Sequence, residues 1–329
     1  MAVVLVIGGA GYIGSQACKE LVAAGHVPVV FDNLSAGRRE AVQFGPFVEG
    51  DILDPSALAS AFAEFKPSAV MHFAALTSVP ESVAQPERYW RINVAGSLAL
   101  LDAMRAAGAS KLVFSSTAAV YGKTDAELIA ESCPLAPSNP YGATKLTVET
   151  MLRDFSHAHG LRYAAFRYFN VAGADPDCQV GECHQPETHL IPLVLQAASG
   201  QRDNITVFGN DYATPDGTCV RDYVHVKDVA TAHVLALQRL LDGGDSLVSN
   251  LGTGRGYSVL DVIGRVQAVT GLAVPHTVAE RRPGDPPRLV CDGRAASTAL
   301  GWSPARSDID AMIADAWRWH QSGWARAQD

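Results

Sequence analysis

The sequence has no long hydrophobic run, no basic excess and few cysteines, and each shortage removes a class of protein. No stretch of the 329 residues approaches the roughly 20 apolar residues that a membrane-spanning helix requires. Met1–Ile7 is apolar but has no basic flank and is cut short at Gly8, so it does not read as a secretory signal. Lys and Arg number 26 against 34 Asp and Glu, a formal charge of −8. A broad surface for nucleic acid or anionic lipid needs the opposite sign, so neither is an expected partner. A local cationic pocket for a small anion stays open. Six cysteines (18, 133, 178, 183, 219 and 291) are scattered through a chain long enough to bury its own core, which argues against a disulfide framework. The expectation is a cytoplasmic protein. Charged residues make up 18% and hydrophobic residues 48%, a globular rather than a disordered balance.

What is present is an alternation. Val3–Ile7, Val27–Phe31, Ala69–Phe73, Leu112–Ser115 and Tyr163–Arg167 read as strands. Their unbroken apolar runs suit strands covered on both faces, as in a parallel sheet. Helical patterns over Ile13–Ala24, Ser56–Phe65, Pro86–Ala107 and Tyr141–His159 lie between them. This predicts an α/β fold with a doubly wound parallel sheet. After about Ala172 the pattern shortens and turn clusters intervene, beginning with the loop-like stretch Gly173–Pro186. We therefore expect a first domain over residues 1–175 and a smaller C-terminal α/β lobe over 176–329. Some later segments, Leu247–Asn250 first among them, return to the first sheet in this expectation.

Strand Val3–Ile7 runs directly into glycines 8, 11 and 14, and a helix follows. The early glycines allow a tight turn and close approach of backbone N–H groups to a pyrophosphate; the last allows close helix–strand packing. That is the Rossmann-type dinucleotide turn. Asp32 ends the second strand, where a carboxylate accepts from ribose hydroxyls and repels a 2′-phosphate, favouring NAD over NADP. Arg38 and Arg39 keep NADP as the minor alternative, and Asp51 is a candidate for the adenine edge.

Farther along, Tyr141 and Lys145 stand at i and i+4 of a helical pattern, so phenol and ammonium share one face. A nearby cation favours the phenolate, which predicts a lowered tyrosine pKa and a general base and acid at an alcohol. Ser115-Ser116-Thr117 closes the preceding strand, offering a hydroxyl to the same substrate oxygen.

The glycine turn, the Ser115–Gly122 run and Tyr-x-x-x-Lys together resemble the extended short-chain dehydrogenase/reductases. More narrowly, the chain resembles the UDP-glucose (UDP-galactose) 4-epimerases nearly end to end. The match includes Asp32–Ser35, Gly50–Ile52, His72–Ala75, Arg167–Asn170, His189–Pro192, Phe208–Tyr212, Val220–Tyr223 and Arg281–Asp285. The resemblance implies reversible 4-epimerisation through a transient 4-keto sugar with tightly held NAD. Tyr141 would be the base, Thr117 its hydroxyl partner and Lys145 the group that holds the nicotinamide ribose. It implies cofactor contacts from Gly8, Gly11, Tyr12, Ile13 and Gly14, then Asp32, Asn33, Leu34, Ser35, Asp51 and Ile52. Phe73, Ala74, Ala75, Asn93, Ser115 and Tyr168 complete that set. The UDP-sugar would meet Phe169, Asn170, His189, Leu190, Val207 and Phe208, together with Tyr223, Asp285 and Leu289, and Arg221 and Arg282 would take its diphosphate. A homodimer is implied as well, the apolar face of Val94–Ala107 being core or dimer helix.

Two positions depart from the family pattern. Thr77 stands where many relatives carry a lysine, and Leu289 where the gate for sugar size is often Tyr or Cys, which leaves N-acetylhexosamine and pentose substrates open. Cys178, Cys183, His184 and His189 crowd one segment, but C-x4-C lies outside common zinc spacings, and no metal is expected. Three rivals remain. A 4,6-dehydratase is disfavoured because Ala118 and Ala119, not Asp and Glu, follow Thr117. A simple NAD-dependent dehydrogenase would release its cofactor, and a non-catalytic dinucleotide sensor would have no need of Tyr141, Lys145 and Thr117 together.

Overall fold

The computed structural model describes residues 1–282 and 285–323. Pro283 and Gly284 of the Arg281–Asp285 motif lie outside the described residues. In chain order the strands are β1 Val3–Ile7, β2 Val27–Asp32, β3 Phe47–Glu49, β4 Ala69–His72, β5 Lys111–Thr117, β6 Arg162–Tyr168, β7 Asn170–Ala172, β8 Ile205–Phe208, β9 Val220–His225, β10 Leu247–Leu251, β11 Gly256–Ser258, β12 His276–Ala279 and β13 Arg288–Leu289. The helices are α1 Tyr12–Ala23, α2 Pro55–Phe65, α3 Val79–Ala84, α4 Pro86–Tyr89, α5 Gly96–Ala106, α6 Pro140–His159, α7 Leu190–Ala198, α8 Val226–Leu241, α9 Val259–Thr270, α10 Arg294–Leu300 and α11 Ile309–Gln321.

Seven strands form one sheet in the order β10-β6-β5-β4-β1-β2-β3, every pairing parallel. The doubly wound expectation holds. Strand order reverses between β1 and β4, so the crevice at their carboxyl ends is the place where such sheets bind ligands. Val4, Leu5, Val6 and Ile7 are buried, their side chains alternating between two cores. On one face Val4 and Val6 pack with Ala17 and Leu21 of α1 and Val229, Ala236 and Leu240 of α8. On the other, Leu5 and Ile7 pack with Leu58 of α2, Leu100 and Met104 of α5 and Val148 and Leu152 of α6.

Local signals set the helix boundaries. Asp54 caps α2 by accepting from the N–H groups of Ser56 (2.9 Å) and Ala57 (3.2 Å), with Pro55 opening the helix. Asn139 does the same for α6 through Gly142 N–H (2.8 Å), with Pro140 next and Gly160 ending it in the left-handed region. Ser258 and Asp261 form a reciprocal capping box on α9. In α1, by contrast, Gly11 offers no side-chain cap and the first turn holds no acidic residue.

One expected element is different. The helix predicted over Pro86–Ala107 is α4, a π-helical stretch at Trp90–Ala95, and α5. The wider turn carries Asn93, buried, whose amide holds both backbone groups of Leu76 (2.8 and 3.0 Å) and the Thr144 hydroxyl (3.1 Å). Hydrophobic periodicity does not see such an insertion, because the segment on each side keeps its own helical spacing.

The later chain builds a second layer: β9 pairs with β7, β11 and β13, and β8 pairs with β12. Its own core joins Ile191 and Val194 of α7, Val262 and Val266 of α9, and Met312 and Ile313 of α11. Yet β10 joins the large sheet beside β6, and α8 and Trp302 pack in the first core.

Candidate active site

The carboxyl ends of β1, β2, β4, β5 and β6 lie side by side: Ile7 opposes Phe31 and His72, His72 opposes Phe114, and Thr117 opposes Tyr168. The glycine turn leaves β1 at this edge. Gly8 has φ +80°, and a Cβ there would lie 2.5 Å from the Ala74 backbone nitrogen. The turn thus lies against the loop that begins at Phe73. Gly14 on α1 packs so closely that a Cβ would lie 2.2 Å from the Gly8 carbonyl oxygen. The α1 N-terminus therefore points bare N–H groups and the positive end of its dipole into the crevice, the geometry that receives a pyrophosphate.

Asp32, 8% exposed, sits beside this turn. One carboxylate oxygen accepts from Ala10 N–H (3.0 Å), the other from Leu34 N–H (2.8 Å), and each keeps a lone pair for a hydroxyl. Burial raises its pKa against the pull of those two donors. Asn33 donates to Asp51 (2.9 Å), which also accepts from Leu53 N–H (2.8 Å), and the Asn33 carbonyl takes Ser35 N–H (3.0 Å). Ile52 is buried beneath. An uncapped, acid-free helix start beside a paired-hydroxyl acceptor fits NAD, and the carboxylate opposes a 2′-phosphate.

At β4, Phe73 is half-buried against the neutral ring of His233 (centroids 4.9 Å), which also meets Phe166 and Tyr168. Burial holds His233 at about 4, and its Nδ1 bonds the Val229 carbonyl (2.8 Å). Ala74 and Ala75 continue toward Leu76, the residue held by Asn93. Tyr12 and Ile13 begin α1; Tyr12 donates to the Gly173 carbonyl and so ties the glycine turn to the chain leaving β7.

Thr117 ends β5 and Tyr141 begins α6, which brings the threonine hydroxyl to the buried phenol. Lys145, 2% exposed, donates to the Ser115 carbonyl (2.8 Å) and lies 4.9 Å from the centre of the Phe114 ring. Ser115 Oγ accepts from the Tyr168 hydroxyl. One expectation needs correction. Lys145 is expected to pull the tyrosine pKa down; instead burial pushes Tyr141 up, and the neighbouring Thr117 hydroxyl is what opposes it. Burial also acts on the lysine, bringing its pKa down to about 7 against the field of Glu149. Its ammonium is turned toward the Ser115 carbonyl rather than toward the phenol.

Sequence reasoning missed the network behind this pair. Glu149 sits one turn after Lys145, bonds Ser116 (2.5 Å) and is gripped by Arg167 at 2.6 and 3.0 Å, while Arg167 also donates to Tyr121 (3.0 Å). The i+4 spacing from Lys145 was the available signal. Because Glu149 supports the charged form of Lys145, Glu149→Gln is expected to lower the lysine pKa further. The alkaline limb of the kcat/KM profile then moves to lower pH by on the order of half to one unit. An unmoved limb would separate Glu149 from the lysine.

The residues expected to meet the substrate gather around β9. Arg221 lies in register between Leu289 and Tyr257, bonds the Val220 carbonyl (2.8 Å) and pairs with Asp285. Tyr223 faces Asn170 across the β7 pairing, and Asn170 donates to the Asp222 carbonyl (3.0 Å). Arg282 lies over the Phe208 ring at 4.0 Å, next to buried Val207. Leu190 opens α7 against the core that holds Val207 and Tyr223. His189 turns its ring to Glu182, a pairing that raises the imidazole to about 9 despite burial. A small apolar cluster links the two halves: Phe169 and Leu289 pack with Val120, Tyr121 and Ala118, the residue directly after Thr117.

The profile of the NAD dependent epimerase/dehydratase family matches residues 4–252, from within β1 to just past β10, and so spans all seven strands of the large sheet. The chain belongs to this family. The UDP-glucose 4-epimerase of Azospirillum brasilense is 51% identical over 320 residues, 97% of this chain and 92% of the relative. Among solved structures, the UDP-glucose 4-epimerase from Brucella ovis in complex with NAD has a TM-score of 0.95 at 49% identity, covering 97% of this chain and 98% of that one. The UDP-glucose-4-epimerase from Stenotrophomonas maltophila, with bound NAD and formylated UDP-arabinopyranose, reaches 0.96 at 44% identity over 99% of this chain and 100% of that one. Among the described residues, no helix of this family member is long and apolar enough to cross a membrane.

Proposed function

We propose that the chain is an isomerase that interconverts UDP-glucose and UDP-galactose by reversible inversion at C4, using NAD held through the cycle. The observation that carries this reading is the juxtaposition of the Tyr141 phenol and the Thr117 hydroxyl. It stands at the strand edge that also carries the glycine turn, and the Phe169–Leu289 cluster packs directly behind it. NAD, when bound, supplies the acceptor and donor of a hydride at the sugar carbon. The chain's residues do the rest. Tyr141 takes the proton from O4 and returns it, Thr117 orients that oxygen, and Lys145 holds the nicotinamide ribose. The uncapped α1 start takes the cofactor's pyrophosphate and Asp32 its adenosine ribose, while Asp51, Phe73, Asn93 and Tyr168 line the rest of its path.

For the second ligand, Arg221 and Arg282 offer guanidinium donors to the diphosphate, and Asp285 orients Arg221 until the nucleotide arrives. Asn170, Leu190, Phe208, Tyr223 and Leu289 shape the cleft. In this reading residues 1–175 hold NAD and, through Thr117, Tyr141 and Asn170, meet the sugar, while 176–329 supply the rest of the UDP-sugar contacts, with α8, β10 and Trp302 lending their packing to the first part. The deciding experiment incubates the purified protein with UDP-galactose and no added NAD. Formation of UDP-glucose is expected, and its absence from protein that retains NAD rejects the reading. A panel of UDP-N-acetylhexosamines and UDP-pentoses reports what Leu289 admits.

Two finer assignments belong to the same proposal. Val83, Trp90 and Leu98 are 63%, 42% and 42% exposed along the α3–α5 segment, which suits a homodimer face; light scattering distinguishes dimer from monomer. The six cysteines are all free, which suits the reducing cytoplasm.

A further inference from the structure

The loop that leads into α7 brings four metal-binding side chains to one point. Glu182, His184, Glu187 and His189 each offer a ligand atom, and all four atoms lie within 4.8 Å of one another. His184 Nδ1 is 2.9 Å from Glu182 Oε1, His189 Nδ1 bonds the same oxygen, and His189 Nδ1 is 3.6 Å from Glu187 Oε1. Tetrahedral zinc with nitrogen and oxygen ligands at ~2.0–2.2 Å sets its donors ~3.3 Å apart. The observed separations bracket that value, so only small side-chain movements are needed.

Charge and access point the same way. The Glu182 and Glu187 side chains are only 6% and 8% exposed. Two buried carboxylates side by side need opposite charge, which the His189 pairing with Glu182 and Glu187 partly supplies, and a divalent cation that displaces the imidazole proton matches both. The loop is braced from outside. Glu187 accepts the Thr188 and His189 N–H groups (2.6 and 2.8 Å), Trp319 of α11 donates to the Glu182 carbonyl (2.9 Å), and His184 meets the edge of Tyr12. Glu182, His184 and Glu187 also line a cavity of about 230 Å³, which gives an ion its entry path. These ligands differ from the four Cys and His residues that the sequence had grouped: Cys178 and Cys183 are not among them.

We propose that Glu182, His184, Glu187 and His189 form a binding site for a divalent transition-metal ion, with zinc the fitting ion for a set of two imidazoles and two carboxylates. The ion would join the loop between Gly173 and α7 to the start of α1 through Tyr12 and to α11 through Trp319. Its place is structural, since all four side chains are spent on coordination. Binding of the ion is read without turnover, so it stands or falls apart from the proposed reaction.

The test treats the purified protein with chelator, removes the chelator, and titrates ZnCl2 by calorimetry. One equivalent per chain is expected, with an affinity that falls at least about tenfold in His184→Gln and in Glu187→Gln. No stoichiometric binding, or binding that both variants leave unchanged, overturns the site. Co2+ loaded into the unaltered protein gives a second reading that needs no variant. A d–d spectrum without a thiolate-to-cobalt charge-transfer band supports the assigned ligands, whereas a strong thiolate band transfers the ion to the cysteines and rejects them.

Discussion

Tyr141→Phe is expected to lower kcat for UDP-galactose by about 10²- to 10⁴-fold, the range over which a positioned acid–base group contributes. The substitution keeps the ring, the start of α6 and the packing around it. It removes one hydroxyl, and with it the proton acceptor beside Thr117. UDP affinity and the amount of NAD retained on purification should stay close to those of the unaltered protein, because the proposed diphosphate and ribose contacts lie elsewhere. The measurement is initial turnover beside UDP titration on the same preparation. Turnover within a few-fold of normal would remove Tyr141 from the chemistry. Loss of turnover together with loss of UDP binding would mean that the phenol holds the cleft together instead. The separation is clean because burial, not an ion pair, sets the state of this phenol in the chain alone. A single buried hydroxyl contributes to structure at most on the scale of one hydrogen bond, ~1 kcal/mol, so the fold should tolerate the change.

Much of this arrangement was legible in the sequence, for reasons that differ by residue. Strands buried on both faces advertise themselves as unbroken runs such as Val3–Ile7, and their alternation with helices fixes the doubly wound sheet. Gly8, Gly14 and Asp32 were readable because each answers a local demand: a positive φ, a backbone contact, a strand end facing the turn. Tyr141 and Lys145 were readable as a helical pair, but their electrostatics were not. Spacing places the ammonium near the phenol; it cannot say that burial brings the lysine to about 7 or that the Ser115 carbonyl accepts its hydrogen bond. The Ser116–Glu149–Arg167–Tyr121 network joins a strand, a helix, a second strand and a 3₁₀ turn, so no window of sequence contains it. The π-helical insertion at Trp90–Ala95 was hidden for another reason. It alters the phase of the helix around Asn93 and leaves the apolar pattern of α5 intact. The gathering of Glu182, Glu187, His184 and His189 is a loop event, and loops have no periodicity to read.

A matched pair of glycine substitutions tests whether the glycine turn is a cofactor site or only a fold element. Gly14→Ala and Gly264→Ala add the same methyl group inside a helix. At Gly264, exposed on α9, the new Cβ meets nothing within 4 Å. Alanine there removes an entropic weakness, so stability should rise by about 0.5–1 kcal/mol with turnover unchanged. At Gly14 the Cβ would lie 2.2 Å from the Gly8 carbonyl oxygen and 2.9 Å from Gly9 Cα. Both are backbone atoms, so the turn or the whole of α1 must move to clear them. Overpacking of this kind costs typically ~1–3 kcal/mol in stability, which this fold can survive. The larger effect is on the ligand. A shift on the order of 1 Å misaligns the N–H groups that converge on the pyrophosphate, and misplacement of that size costs about 10²-fold. Gly14→Ala should therefore leave the purified chain without stoichiometric NAD, read by absorbance of the released nucleotide, with turnover restored in part by adding NAD in excess. If the alanine variant instead keeps a full complement of NAD while losing only stability, the turn serves packing, and the cofactor's phosphates rest on some other part of the crevice.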